Sequence, residues 1–297
     1  EFFPTTQTTY PDSRLIQYAN QELKLKIVPL IMRVHQEYFA RSEIFSMTAN
    51  KTRYTIPTRA IGTALKDVFY LSDYTKPEDG IPMSKVNRHD LYDGNVVRTR
   101  APYLYIIEGD EIVINPAPVT ISSLERLMWS YHARPNKIVP TTSCAQITNI
   151  SSTGGITTFT VNTDLTASLS AGDEIDVINA QSPFRSWADD AVITAITATT
   201  IKTATTDVDN DEGTIDADVG DYICPAGESN VVMIPEDIHP LLSELICYRV
   251  VKASGMRSQL DEVKGNIKSM VEATLGLITP RVENSPEVCF DRDGFLN

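Results

Sequence analysis

Four aspartates in one short segment are the residues whose type and spacing come closest to a chemical site. Asp207, Asp209 and Asp211 alternate along the chain, and Asp218 follows eleven residues after the first. This spacing approximates the oxygen ligands of a calcium loop. Glycine stands one position too late, however, the last ligand is Asp instead of Glu, and the flanking sequence favours strands. Clustered Asp between strands also serves solubility, so we expect no bound metal and keep these four residues as a calcium candidate.

Catalytic motifs are not found. The sequence has no nucleophile elbow, phosphate-binding loop, dinucleotide-binding glycine pattern or zinc-protease helix motif. Its four histidines fall in different predicted elements, and no two of them are four residues apart: His35, His89, His132 and His239. We therefore expect a structural protein with no catalytic site and no cofactor.

The cysteines show no chemical pattern. They are separated by 80, 23 and 42 residues, and no Cys-x-x-Cys occurs: Cys144, Cys224, Cys247 and Cys289. Such spacing is typical of unpaired thiols that are buried as small hydrophobic residues in a reducing compartment. We expect four unpaired thiols.

Charge is distributed unevenly along the chain, whose net charge is −13. Residues 145–230 carry two basic and fourteen acidic side chains, whereas residues 1–144 have a net charge of +2. A chain this acidic repels phosphate, which argues against a sequence-reading DNA-binding protein. No apolar run approaches the ~20 residues that a membrane-spanning helix needs, so no membrane partner is expected.

The two flanks of the acidic segment show helical periodicity. Apolar residues recur at threes and fours from Leu15 to Tyr38, with Pro29 inside the stripe, where it should kink or split the helix. Further helices are predicted over Arg59–Leu71, over Pro82–Leu91, from His239 to Gly255 and from Leu260 to Ile278. Two β-rich runs, 103–107 and 111–114, predict a hairpin around Gly109, with 127–132 as its third strand.

The segment between the flanks has the alternation of strands. Runs such as 146–150 and 156–161 flank a Gly-Gly turn, and three or four further runs follow. The predicted fold class is therefore α+β: a helical-bundle core domain with a small three-stranded sheet and an inserted all-β barrel- or sandwich-like module. The predicted domains are 1–143 plus 231–297 for the helical core and its C-terminal tail, and 144–230 for the acidic β-rich insertion.

The flanks resemble the head-to-tail adaptor, or connector, proteins of bacteriophages. The N-terminal part of the resemblance lies in Leu15-Ile-x-Tyr-Ala-Asn20, Ile27-Val-Pro29 and Tyr54-x-Ile56-Pro57-x-Arg59-Ala60-Ile-Gly62. It continues in Arg134-Pro135, Gly227-Glu228-Ser229, Ile238-His239-Pro240-Leu241 and Leu277-x-x-Pro280-Arg281-Val282. The order and spacing of these short motifs carry the resemblance, since none of them is diagnostic alone.

The resemblance implies a structural virion protein at the head–tail interface, made in the host cytoplasm. It implies a homo-oligomeric ring of twelve copies that binds the portal protein on one side and tail, nozzle or collar proteins on the other. Genomic DNA would pass through the channel without sequence-specific binding. The tail after Pro280 has apolar residues without a period, which favours ordering on a partner. We expect it to dock on the portal through Arg281, Val282, Val288, Phe290, Arg292, Phe295 and Leu296.

Two other classes stay open. One is a calcium-stiffened β adhesion or binding module on a helical scaffold, which would depend on the Asp207 cluster. The other is an enzyme, for which the sequence offers no nucleophile, acid and base in a recognisable arrangement. The tail also has an alternative, which is to fold back on its own helices.

Overall fold

Strands dominate the computed structural model, which describes residues 10–89, 101–181, 184–208 and 216–278. They amount to 36% and form two four-stranded sheets, a closed six-stranded barrel and a two-stranded pair. Three helices accompany them in these ranges. The predicted fold class is therefore wrong: outside the barrel, two sheets and a smaller group of helices replace the helical-bundle core and its small three-stranded sheet.

The N-terminal helix is continuous but changes its hydrogen-bonding pattern. It consists of α1 (Asp12–Glu22), a π turn (Leu23–Ile27) and α2 (Val28–Val34). Its buried apolar positions recur every four residues, a spacing that drifts by about 40° per step on an ideal α-helix: Ala19, Leu23, Ile27 and Ile31. Pro29 has no N–H to donate to the carbonyl four residues earlier, which favours a departure from α geometry. The predicted interruption at Pro29 takes the form of this π turn, whose wider turns take up part of the drift.

Two sheets form the larger part of the flanking region. The first contains β1 (Ala40–Ser46), β3 (Ala60–Leu71), β4 (Ile81–Pro82) and β8 (Arg126–Ala133), in the order β1-β8-β3-β4. The second contains β2 (Arg53–Thr55), β5 (Ser84–Lys85), β6 (Leu104–Glu108) and β7 (Glu111–Asn115), in the order β2-β7-β6-β5. Trp129 and Tyr131 of the first sheet lie in one buried cluster with Ile112 and Ile114 of the second. The two sheets therefore share a core.

Strand β3 occupies the segment for which the sequence predicts a helix. Gly62 and Thr63 have φ values of 67° and 52°, and the pairing of β3 with β8 shifts register between Ala60 and Leu65. This irregularity removes the period of two from the first half of the strand, so its apolar residues imitate a helical spacing. The alternation survives further on, where Val68 and Tyr70 are buried.

Other predictions in this region have mixed outcomes. The hairpin is confirmed as β6 and β7, joined at Gly109 with a φ of 68°. Its predicted third strand, 127–132, is indeed a strand, but as β8 it belongs to the other sheet. The predicted helix over Pro82–Leu91 is wrong as far as Lys85, because β4 ends at Pro82 and β5 covers Ser84–Lys85. Residues 88–89 are helical, and the part from residue 90 onward lies outside the described residues.

The acidic segment contains the closed barrel. Its strands are β10 (Ala145–Thr153), β11 (Ile156–Val161), β12 (Glu174–Ile178), β13 (Ser186–Ile196), β14 (Thr200–Ala204) and β15 (Tyr222–Pro225). They follow the order β10-β11-β14-β13-β12-β15, and β15 returns to β10. Every second side chain along these strands points inward, and the barrel core is filled by residues such as Ile147, Phe159, Val177, Ile193 and Ile223.

Two cysteines at the mouth of the barrel are joined, so the expectation of four unpaired thiols is wrong. Cys144 and Cys224 form a disulfide with a Cα–Cα distance of 4.5 Å. The antiparallel pairing of Ala145 with Ile223 places these two cysteines directly opposite each other, one step further along. Because they are 80 residues apart in sequence, only closure of the barrel brings them together.

The C-terminal helices pack against the N-terminal one. Helix α3 (His239–Ser254) ends at Gly255, which adopts the left-handed conformation with a φ of 73°, and α4 (Arg257–Ile278) follows. Leu241 and Leu245 of α3 share a buried cluster with Ile27 and Ile31. No helix within the described ranges is both long and apolar enough to cross a membrane.

The chain segments on either side of the barrel come together beneath it. Strands β9 (Lys137–Ile138) and β16 (Glu228–Ser229) pair in parallel, one just before the barrel and one just after it. This arrangement suits an insertion with adjacent entry and exit. The division into domains 1–143 plus 231–297 and 144–230 stays a prediction.

Candidate functional site

A buried cluster of charged residues joins the barrel to the two-sheet region. Arg59, which precedes β3, reaches three carboxylates of the barrel. Its Nη2 donates to Asp176 Oδ1 at 2.5 Å and to Asp190 Oδ1 at 2.7 Å, and its Nη1 donates to Asp189 Oδ1 at 2.9 Å. Arg41 of β1 forms a second ion pair with Asp189. Strands β1 and β3 are thus tied to β12 and β13 by charge.

Asp176 is the centre of the cluster because it is fully buried and fully satisfied. Besides Arg59, its Oδ1 accepts from the backbone N–H of Asp190 at 3.0 Å. Its Oδ2 accepts from Asn136 Nδ2 at 2.6 Å and from the backbone N–H of Gly227 at 3.0 Å. A buried carboxylate is tolerated when it is paired and hydrogen-bonded in this way. Asp176 therefore acts as a fixed anion that holds four chain segments.

The shared environment shifts the pKa values of the two arginines of the cluster in opposite directions. Burial alone would lower the pKa of Arg59, but hydrogen bonds and charge from Asp176 and Asp190 raise that pKa overall. Burial and then repulsion from Arg59 lower the pKa of Arg41. An arginine remains protonated in proteins, so the two arginines bring two positive charges to the three aspartates, and we call these five residues the ionic joint.

A large groove opens beside this joint, between the N-terminal helix and the loops that carry Arg59, Arg134 and Gly227. Its volume is about 1030 Å³. The apolar residues lining it include Ile16, Leu23, Val28, Ile61, Ile138 and Val139. Among the described residues, the charged ones that line it are all basic: Lys24, Arg59, Arg134 and Lys137. We call this surface the basic groove.

The cations of the basic groove differ in availability. Arg59 is already paired within the buried cluster, and Lys137 Nζ pairs with Glu228 Oε1 at 2.8 Å. Lys24 and Arg134 are exposed, and within the described part of the chain neither contacts a carboxylate. Leu25 is 63% exposed next to Lys24. As far as the described residues show, the groove therefore offers two unpaired cations and an apolar surface to an external group.

One side chain fixes the helix to the floor of the basic groove. Asn20 Oδ1 accepts from the backbone N–H of Ile138 at 2.7 Å, and Asn20 Nδ2 donates to the carbonyl of Ile138 at 2.8 Å. The neighbouring Lys137 and Val139 direct their N–H groups to the other side, to Gly227 and Ser229. The amide of Asn20 thus takes the place of a strand on the free edge of β9.

A smaller apolar groove lies between the three helices. It has a volume of about 380 Å³ and is lined by Leu30, Leu241, Leu245, Tyr248, Ile267 and Val271, with Lys26 and Lys264 as its charged residues. Nearby, the fully buried Glu22 pairs with Arg249 of α3 and with Lys26 Nζ at 2.8 Å. The helices are joined by this ion pair while part of their apolar surface stays open.

The residues predicted as sites fall mostly elsewhere. Of the calcium candidates, Asp209 and Asp211 lie outside the described residues, and Asp207 and Asp218 are within them. The portal-docking tail, Arg281, Val282, Val288, Phe290, Arg292, Phe295 and Leu296, also lies outside them. Among the residues that are described, no three His, Cys, Asp or Glu side chains gather as metal ligands. The calcium and tail predictions stay predictions.

Sequence reasoning missed the buried ionic joint, although one signal pointed to it. Asp176 interrupts an apolar strand, and the barrel segment contains only two basic residues, Arg185 and Lys202. A carboxylate at an interior position needs a cation, and Arg185 lies over the ring of Trp187 at 4.2 Å. The partner therefore had to come from outside the barrel.

When the chain is compared with family models and with curated proteins, nothing matches.

Proposed function

We propose that the protein is a structural subunit of a bacteriophage head-to-tail connector, which assembles into a ring between portal and tail and continues the DNA channel. The proposal rests on the position of the short motifs that resemble those of connector proteins. Asn20, Arg59, Gly62, Arg134-Pro135 and Gly227 come from four separate motifs, and all of them line the basic groove. Short motifs without catalytic chemistry that converge on one open surface suit a protein–protein contact.

The open surfaces support the same function. The basic groove and the apolar groove between the helices leave apolar side chains accessible in the isolated chain. Apolar surface of this kind is stabilised when a partner covers it. The net charge of −13 suits a channel through which DNA passes without being held, because negative charge repels phosphate. On this proposal the protein acts in the neck of the virion and catalyses no reaction.

Mass in solution tests the proposal directly. We expect light scattering and electron microscopy to find a ring with a mass near twelve times 32.9 kDa, unchanged by a calcium chelator, which attaches to heads that carry a portal. A chain that stays monomeric at high concentration and does not attach to such heads would contradict the proposal. A chelator-dependent mass or melting temperature would favour the calcium-stiffened module instead.

A further inference from the structure

We propose that strand β1 of one copy receives residues 5–9 of the next copy as an added strand. This inference rests on the proposed ring and names one contact between its neighbouring subunits. Its basis is the free side of β1, which forms one edge of the first sheet. We call the main-chain N–H and carbonyl groups of Ser42, Ile44 and Ser46 the open edge.

The pairing within the first sheet shows which groups of β1 face outward. In an antiparallel sheet a residue directs its N–H and its carbonyl to the same neighbouring strand, and consecutive residues alternate. The carbonyl of Val68 in β3 accepts from the N–H of Met83 at 2.8 Å, on the β4 side, so Val68 does not bond to its β8 partner Trp129. Trp129 therefore bonds to Glu43 of β1. The residues of the open edge, which alternate with Glu43, point away from β8.

The open edge is accessible and has no main-chain partner in the described part of the chain. Ser42 and Ser46 are exposed, and Ile44 is 44% exposed. Ala40 is the preceding outward position, and its N–H donates to the carbonyl of Glu37. The open edge therefore begins after Ala40.

This edge lacks the features that usually prevent a sheet edge from pairing, which are proline, a bulge or an outward charge. The register with β8 is regular over all seven residues of β1. The charged residues of β1 lie on the other face, where Arg41 pairs with Asp189 and Glu43 accepts from the Tyr131 hydroxyl. The other edge strands of the two sheets have only two or three residues, and the edge of β9 is closed by Asn20. Within the described ranges, β1 is therefore the edge best suited to an added strand.

Residues 5–9 have the composition of such a strand. Four of these five residues are threonine, which favours β structure, and none is charged. Their number matches the five positions from Ser42 to Ser46. An uncharged segment also approaches a chain with a net charge of −13 without the repulsion that an acidic segment would meet. The segment itself lies outside the described residues.

The reach of this segment favours a neighbouring copy over its own β1. Only Tyr10 and Pro11 separate it from α1, and two residues span about 7 Å. The Tyr10 hydroxyl lies 2.9 Å from Ser254 Oγ, at the end of α3. Strand β1 of the same copy follows the opposite end of the helix over residues 12–34, which is about 34 Å long. Pairing with a neighbour is a heterologous contact, which is the type that closes into rings.

Two variants remove the two sides of the contact separately. The deletion variant lacks residues 1–9, and the edge variant is Ile44→Pro, which removes an outward N–H and is a change that edge strands tolerate. We expect each variant alone to lose the high-mass species of the wild type in light scattering. An equimolar mixture should form dimers but no ring. The edge variant supplies the segment and the deletion variant supplies the edge, so only one contact can form per pair.

The control variant is Ile44→Thr, which removes the same apolar side chain but keeps the N–H and a residue that favours strands. It should keep the mass of the wild type. Near-ultraviolet circular dichroism checks the fold of every variant, because Trp129 lies on β8 directly beside β1.

Amide hydrogen exchange gives a second readout that does not depend on the edge variant. Removal of residues 1–9 should speed exchange at the amides of the open edge. Exchange at Glu43 and Phe45 should stay slow, because their N–H groups bond to β8. This alternation along one strand distinguishes loss of an added strand from general loosening of the sheet.

The outcomes separate this inference from the function on which it rests. If the wild type forms a ring and the deletion variant forms it equally well, the contact is overturned while the ring remains. If the wild type forms only open chains that the deletion abolishes, the contact holds and the proposed ring fails. If the deletion leaves exchange at the open edge unchanged, or the mixture stays monomeric, residues 5–9 are not the added strand. A monomeric wild type overturns both, and protection of its open edge by residues 1–9 would show pairing within one chain.

Discussion

Replacement of Arg59 by methionine is expected to destabilise the protein strongly. Arg59 is 9% exposed, and Asp176, which it contacts at 2.5 Å, is fully buried. Without the guanidinium, Asp176 keeps three hydrogen bonds but loses its cation, and Arg41 contacts Asp189 and not Asp176. Removal of one partner from a buried ion pair costs about 3–5 kcal/mol. We expect Arg59→Met to lower the free energy of unfolding by about that amount.

Urea unfolding followed by tryptophan fluorescence measures this change, because Trp129 lies in the two-sheet core and Trp187 packs on the barrel core. The matched control is Arg53→Met. Arg53 also contacts two carboxylates, Glu108 at 2.8 Å and Glu111 at 2.9 Å, but it does so on the surface. We expect the control to unfold close to the wild-type urea concentration, as surface ion pairs contribute little. If the two arginine variants lose similar stability, burial of the Arg59 cluster is not what makes it important.

Three further predictions concern other parts of the chain. Burial raises the pKa of Glu43, which accepts from the Tyr131 hydroxyl, above its ordinary 4.5. Protonation of Glu43 therefore stabilises the folded state. This stabilisation is complete below the pKa that Glu43 has in the unfolded chain, and it is lost as the pH rises through the pKa of the folded state. Glu43→Gln should thus raise the melting temperature near neutral pH and leave it nearly unchanged in acid, and equal effects at both pH values would contradict this assignment. Deletion of residues 282–297 should leave helical content and melting temperature unchanged but abolish attachment to portal-bearing heads, whereas an unfolded truncation would mean that the tail docks on its own helices. Limited proteolysis should cut at the exposed turn Thr141–Ser143 and after Gly227 and leave a barrel fragment of about residues 144–230; fragments that end inside the barrel would contradict the predicted domain division.

The barrel was predictable because its local signals agree with one another. Strands β11 and β14 alternate between buried and more exposed side chains, and Gly154 and Gly155 stand where the first hairpin needs positive φ, at 62° and 77°. Helix α3 was predictable for the same reason, with Pro240 in its first turn and Gly255 at its end. In both cases the residues that decide the structure are neighbours in sequence.

The two-sheet region and the ionic joint could not be predicted because they depend on distant partners. The irregular first half of β3 makes sense only against β8, whose residues lie more than sixty positions away. Asp176 meets Arg59 across 117 residues and Asn136 across 40 residues. Neither pairing leaves a periodic trace in the sequence. The groove depends in turn on where this joint places the loops around Arg59, Arg134 and Gly227.

The amide of Asn20 has a consequence for how the basic groove can recognise anything. Many binding surfaces capture an extended peptide by adding it as a strand to a free sheet edge, which reads main-chain groups and tolerates many sequences. Here the N–H and the carbonyl of Ile138 are already taken by Asn20, so that mode is closed at this position. A peptide that binds here must be held through its side chains, so its binding depends on its sequence. Asn20→Ala would free the N–H and the carbonyl of Ile138, so that extended peptides of many sequences could pair with this edge.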